Sequence, residues 1–445
     1  MAIDTLGANA LASNSVTSAK IADGAVVTAD IADDAITTAK ISNDAIGADQ
    51  LADNSVVTAN ITSGAISTAK VADGAVTSVK TTGVGKPQNL IVNGAMQVSQ
   101  RTVSETSVNS DRYSACDRFK ILNNQAHFTV SQETLTASQD LPVAHGFTKA
   151  LKLDCTTAQA SPGVSDRMKI RHSFEGQQMQ HLKYGGSSAE TLSLQFWVKA
   201  TKTGVNTINM YQDDATKMIS ASYTISASNT WEKKTVSFAG NTSDMITNDN
   251  TRGLLVEWNL GGGSNRTSGT LRTAWTAYTD ADEMPGQVNH ADNTANNFHI
   301  TGIQLEVGST AGAFEFREYT DVYRHCQRYL YRIKGSIYEF FVNGVRNNTN
   351  YLWAPLQLPV PLRTQPTITT AGTSSNCFGI WHGAGGSWST SHTTMGLYSN
   401  PDMLDGSVQQ LGLALNGIST GFSAGECVTL AFNGTDRFMN CDAEL

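Results

Sequence analysis

The stretch TLSLQFWVKA, residues 191–200, alternates without a break: Leu192, Leu194, Phe196, Val198 and Ala200 hold every second position, with Ser193, Gln195 and Lys199 among the residues between. In an extended chain a period of two sends successive side chains to opposite faces, so the pattern predicts a strand with one face on a core. Working outward, similar runs occur at 89–98, 118–122, 126–131, 150–155, 168–174, 230–238, 253–260 and 298–307. Gly, Asn, Asp and Ser loops divide them, and short strands so divided predict a β-sandwich or jelly roll. Runs at 337–342, 350–358, 367–370, 411–415 and 427–432 predict a second, smaller β domain.

Composition agrees. Only 16% of the 445 residues are charged, below the quarter or so usual for soluble domains, while Gly alone numbers 38. The formal charge of −8 comes with no basic tract, which excludes an electrostatic grip on nucleic acid. No apolar stretch approaches the roughly 18 residues of a membrane span, and the N-terminus lacks a secretion signal, so the chain is expected to fold where it is made. Cys116, Cys155, Cys326, Cys377, Cys427 and Cys441 are irregularly spaced and read as reduced core residues.

Residues 11–80 are seven blocks of ten. Leu11, Ile21, Ile31, Ile41, Leu51, Ile61 and Val71 open the blocks, and Val16, Val26, Ile36, Ile46, Val56, Ile66 and Val76 take each sixth position. A five-residue step makes no helical stripe and flips faces in a strand, so the chain must be reset between aliphatic residues. Turn formers such as Asp23-Gly24 and Asp73-Gly74 supply the reset, giving short extended or single-turn pieces joined by tight bends. One such thread buries too little apolar surface to offset its ordering entropy. Three copies around one axis would cover the aliphatic residues, predicting a slender homotrimeric shaft.

NLIVNGAMQVSQR from Asn89, Asp117-Arg118-Phe119, TLSLQFWVKA, Trp231 and GIQLEVGSTAGAFEFR from Gly302 together resemble the carbohydrate-binding-module-like jelly roll in tail fibre proteins of tailed bacteriophages. EYTDVYRHCQRYLYRI from Glu318 resembles the connector of those fibres, and the ten-residue blocks resemble their shafts. The resemblance implies a mostly β virion protein made in the host cytoplasm. Its expected parts are a tail-attachment segment at 1–10, the shaft at 11–80, a hinge at 81–88, the jelly roll at 89–317, a helical connector at 318–331 and a C-terminal β tip at 332–445. Its expected partners are two further copies of itself, tail adaptor or nozzle proteins at the N-terminus, and a host surface glycan or outer-membrane receptor. Val322, Cys326 and Tyr329 share a helical face that either docks on the three-fold axis or packs on the chain's own jelly roll.

The glycine-rich, wet-looking piece GIWHGAGGSWSTSHTT, residues 379–394, reads as an exposed loop holding Trp381, His382, Trp388 and His392. Indole faces stack on the apolar faces of sugars while imidazoles meet hydroxyls, so these four are the candidate glycan contacts; the competing reading is packing within the core or between copies. Trp197, Trp231 and Trp258 lie in strand patterns and read as core. Asp244, Asp249, Asp280, Asp282 and Glu283 are the acids a jelly-roll calcium would use, but without dense spacing they read as solvated loop acids. No metal site and no cofactor is expected. The enzyme alternative, a polysaccharide-degrading tailspike, needs two carboxylates about 5 to 9.5 Å apart. Asp166, Glu175, Glu257 and Glu306 are scattered singly, and Glu306 reads as structural.

Overall fold

The stretch at 192–200 forms a strand in the computed structural model, which describes residues 12–41, isolated positions between 45 and 71, and 89–445 except 125–126, 348–350, 372–376, 383–386, 390–393, 398–402, 405–406 and 417–422. The chain divides into two compact units, Met1–Thr77 and Ser78–Leu445.

In the first unit each of the three blocks within the described residues 12–41 is a β-turn followed by a single 3-10 turn. Ala25 N donates to Ala22 O at 2.9 Å, and Asp30 N donates to Val27 O at 2.9 Å within Thr28–Asp30; the flanking blocks repeat this at Ser18–Lys20 and Thr38–Lys40. The fourth position carries the reset. Asn14, Gly24 and Asp34 have φ of 64°, 74° and 60°, and Gly, Asn and Asp tolerate that left-handed conformation best. These three blocks are therefore single turns rather than strands. Their aliphatic side chains are uncovered: Val16, Ile21, Val26, Ile31, Ile36, Ile41, Ile46, Leu51, Val56, Ile61 and Ile66 are between 41% and 57% exposed. Val71 is half-buried, while Leu11, Val76 and the hinge at 81–88 lie outside the described residues.

The second unit begins with a mostly β sandwich of two antiparallel sheets. The six-stranded sheet runs β1 (Ser104–Val108), β4 (His127–Thr134), β5 (Lys149–Thr157), β13 (Asn297–Val307), β7 (Leu192–Ala200) and β10 (Glu232–Phe238). The seven-stranded sheet runs β12 (Thr276–Ala277), β9 (Lys217–Ile225), β8 (Gly204–Gln212), β11 (Arg252–Gly262), β6 (Arg167–Glu175), β3 (Lys120–Asn123) and β2 (Arg112–Tyr113). Leu194, Phe196 and Val198 of β7 meet Val256 and Trp258 of β11 in the core, with the Phe196 and Trp258 rings 6.0 Å apart edge to face. Trp258 is a core residue as expected. Trp197 and Trp231 are buried as well, but in a satellite cluster with Leu135, Phe147 and Ala150. Five cysteines are buried thiols; Cys427 is exposed, because it opens a strand at a sheet end.

Residues 89–98 are not a strand. Asn93 and Met96 sit at φ of 63° and 57°, and the asparagine amides replace ladder hydrogen bonds: Asn93 Nδ2 donates to Val98 O and Asp117 O, and Asn89 Nδ2 to Ile303 O. Gly94 is obligatory, since a Cβ there would lie 2.0 Å from Ile303 O. Glu306 is structural as expected, its carboxylate accepting from Gly312 N.

After a short helix α1 (Ser264–Thr267) and the connector helix α2 (Tyr319–Gln327) comes the C-terminal part. β14 (Leu330–Gly335), β24 (Arg437–Asp442) and β17 (Thr367–Thr370) form one sheet. The other runs β19 (Ser387–Ser389), β18 (Phe378–His382), β23 (Cys427–Phe432), β15 (Phe340–Arg346), β16 (Tyr351–Leu362), β22 (Ser407–Asn416) and β20 (Thr394–Leu397), with β21 (Met403–Leu404) also on β22. The connector packs on the jelly roll: the buried Tyr329 hydroxyl donates to Glu175 Oε1 at 2.7 Å, and Arg328 clasps the same carboxylate with two bonds of 2.6 Å.

Arg118 closes this joint. Its guanidinium is 1% exposed, lies 3.3 Å from the Tyr329 ring centre, donates to Ser173 O at 2.7 Å and pairs with Glu444. Removing one partner of a buried pair leaves an uncompensated charge. Glu444→Ala is expected to destabilise this unit by about 3 to 5 kcal/mol, read from urea unfolding, whereas a loss below about 1 kcal/mol would show that the joint is solvated.

Candidate functional site

The residues flagged at 379–394 do not form one loop. β18 and β19 make a hairpin, and Phe378 and Ile380 are fully buried, because alternation turns them into the C-terminal core. Trp381 lies directly opposite Trp388 in the β18–β19 register and opposite Thr429 on β23. Trp381 is 39% exposed, and its ring meets the ring of the exposed Phe340 edge to face at 6.1 Å. His382 Nδ1 lies 3.4 Å from Glu426 Oε1. His392 lies outside the described residues. The structure thus brings Trp381, Trp388 and His382 to one end of a sheet and adds Phe340.

A second site was not foreseen. It is a polar groove of about 210 Å³ on the outer face of the seven-stranded sheet. Its floor is two cross-strand rows. Tyr211, Leu255 and Met218 are register neighbours in one, and Glu257 lies between Arg171 and Asn209 in the next. The wall is the segment around Tyr278 and Glu283, with the Tyr211 and Tyr278 rings edge to face at 5.5 Å.

Buried charges hold that wall down. Lys169 Nζ donates to Glu257 Oε2 at 2.9 Å and to Glu283 Oε1 at 2.5 Å, with all three side chains at most 5% exposed. Arg171 Nε donates to Glu257 at 2.8 Å, the Tyr278 hydroxyl to Glu283 at 2.8 Å, and Arg266 pairs with Glu283. Asp282 is likewise buried and accepts from Arg272 at 2.7 Å. Asp282 and Glu283 are therefore not solvated loop acids: distant strands and loops bring cations to them. Asp244 pairs with Lys217 and Asp249 caps Thr251. Among the described residues no group of three or more His, Cys, Asp or Glu is placed to hold a metal ion.

Burial pushes the Glu257 carboxyl up, but Lys169 and Arg171 outweigh it and hold the group down at about 2. Glu257 and Glu283 share the Lys169 ammonium, and each carboxylate is also taken up by an arginine, Arg171 and Arg266. What the groove offers is aromatic edges and fixed donors and acceptors, the chemistry that recognises hydroxyl-rich ligands. Arg171 and Glu257 were legible as charges in the middle of otherwise apolar strands; Tyr211 and Tyr278 carried no such signal.

No protein-family model matches the chain, and no curated protein matches it. Among solved structures it is similar to a putative sugar binding protein from Bacteroides thetaiotaomicron at 14% identity and a TM-score of 0.28, over 50% of this chain and 100% of that one. A tailspike protein 4 enzymatically active domain of bacteriophage CBA120 matches at 13% identity and 0.26, over 49% of this chain and 21% of that one. The family 11 carbohydrate-binding module of Clostridium thermocellum, in complex with a mixed-linked tetrasaccharide, matches at 7% identity and 0.22, over 48% and 98%. Likenesses this distant carry no weight for function, which rests on the chain's own residues.

Because the Glu257 pair sits below its ordinary 4.5, its stabilisation is full above that pH and is lost as the pH falls toward about 2. The unfolding free energy is expected to drop across that window, and Glu257→Gln to flatten the drop while costing about 3 to 5 kcal/mol at neutral pH. An unchanged slope in the variant would place the acid sensitivity elsewhere.

Proposed function

We propose that this chain is a non-enzymatic fibre subunit of a tailed bacteriophage virion, trimeric through its ten-residue blocks and adhesive to host surface glycan through its β domains. The observation that carries the assembly is the uncovered aliphatic array: eleven large side chains spaced by five residues, each more than 40% exposed in one copy. Soluble monomers rarely present so regular an apolar series, and two further copies in parallel cover every position by the same contact. The segment at 1–10 would then meet a tail adaptor or nozzle protein, and Trp381, His382, Trp388 and His392 a host receptor.

The hydroxyl-recognising groove supports glycan binding. Three weak sites per fibre gain effective affinity by linkage, roughly 10² to 10⁴.

In sedimentation the full chain is expected to run as a trimer and a version lacking residues 1–86 to dissociate at higher concentration. Ile31→Asp with Ile36→Asp, placed in the full chain, should shift it the same way; a full chain that sediments as one copy overturns the assembly. In affinity electrophoresis through purified host surface polysaccharide, Tyr211→Ala with Tyr278→Ala is expected to weaken retention at least tenfold, and Trp381→Ala to reduce cell adsorption with the trimer intact. Reducing ends appearing in the gel polysaccharide would favour the tailspike alternative.

A further inference from the structure

We infer that the opposite, six-stranded sheet carries a second ligand site, an aromatic cavity shaped for a single carboxylated sugar residue. The cavity measures about 290 Å³, at the small end for ligand pockets and suited to one ring rather than a chain. Its floor is the outer row of β7, where Gln195 and Trp197 point away from the core residues Leu194, Phe196 and Val198. Its wall is two loop segments that bring His145, Phe147 and Phe316 over that row.

The rings are arranged as a cradle. His145 lies 5.0 Å from Trp197 with the planes tilted by 34°, and Phe147 and Phe316 lie 5.1 Å apart. Gly302 keeps the floor open: it sits at φ 61°, and a Cβ there would come within 2.8 Å of the Phe147 ring and 3.0 Å of Trp197. Phe316 is half exposed and His145 is exposed at the rim, above the buried Trp197 and Phe147.

Two polar groups fix the ligand's chemistry. Gln195 is 1% exposed and its amide nitrogen donates to Gly312 O at 2.8 Å, yet its Oε1 has no donor among the described residues. A buried acceptor left unmade costs free energy that a ligand hydroxyl would recover. Lys233, directly opposite Trp197 on β10, is exposed and forms no ion pair among the described residues, whereas its neighbours do: Lys234 with Glu232 and Lys199 with Asp140. An ammonium with no ion-pair partner among the described residues, beside ring faces and a bare acceptor, matches a pyranose bearing a carboxylate: ring face on the aromatics, hydroxyl to Gln195, carboxylate to Lys233. The inference rests on the chain being a glycan binder but not on the groove, since the two sites share no residue and each titration is readable when the other fails.

Saturation-transfer NMR on the full chain tests it with sodium D-glucuronate and D-glucose as probes. Glucuronate is expected to bind at least tenfold tighter than glucose, and to weaken with added salt. Lys233→Met, which keeps the side-chain stem, should erase that preference; Phe316→Ala, at an exposed position that the fold tolerates, should weaken both sugars. The inference falls if neither sugar receives saturation, or if both variants bind glucuronate like the parent. It also falls if Phe316→Ala changes the sedimentation coefficient while neither sugar binds, because the rings then cover another copy of the chain.

Discussion

A single buried guanidinium holds the larger unit together. Arg118 has no water to solvate it, and a charge in that position costs several kcal/mol unless other groups replace the lost hydration. They come from three places far apart in sequence: the Ser173 carbonyl on β6, the Tyr329 face just after α2, and the Glu444 carboxylate beyond β24. Arg101 pairs with Asp442, and Arg363 donates to the Ala443 and Glu444 carbonyls, so the same stretch is gripped from both sides. The sandwich, the connector and the C-terminal sheets therefore cannot separate without stranding a charge. This is the physical content of the Asp117-Arg118-Phe119 motif.

The ten-residue blocks obey the reverse constraint. Each block within the described residues 12–41 satisfies its backbone locally, through a β-turn and a 3-10 turn, and leaves its described aliphatic residues exposed. Local hydrogen bonds of this kind are worth little net free energy, since water offers the same bonds to the unfolded chain. Order in such a thread has to come from surface removed from water, and within one chain that surface stays wet. The large unit is held by contacts between distant segments of the chain, whereas the described blocks of the small unit leave their aliphatic side chains exposed.

Alternation made most of the sandwich legible, and where it misled the reason is visible. Residues 89–98 alternate like a strand, but Asn89 and Asn93 use their amides as surrogate backbone, which a pattern of polarity cannot distinguish from a solvent-facing position. β8 and β9 were missed because Asn206, Asn209, Gln212 and Ser220 are buried polar residues that blur the period. The 367–370 and 427–432 strands came out at their observed bounds, since turns flank them closely. The acids at 282 and 283 looked like loop solvent because their cations, Lys169, Arg266 and Arg272, are chosen by topology rather than by spacing. The groove and the cavity were invisible for that reason: both are built across strands from residues unremarkable in their own neighbourhoods.

A sandwich spends its two inner faces on the core, so any ligand chemistry must be placed on the outer faces, where a bare sheet is too flat to enclose anything. Here each outer face gains a wall from a loop segment that is itself pinned. Buried ion pairs pin the wall beside Tyr278, and aromatic packing pins the one that carries Phe147 and Phe316. The two pinning devices leave different chemistry in the gaps: charge and hydroxyl on one side, ring faces beside the Lys233 ammonium on the other. A ligand that suits one gap is a poor fit for the other, because fixed carboxylates line the first and ring faces the second.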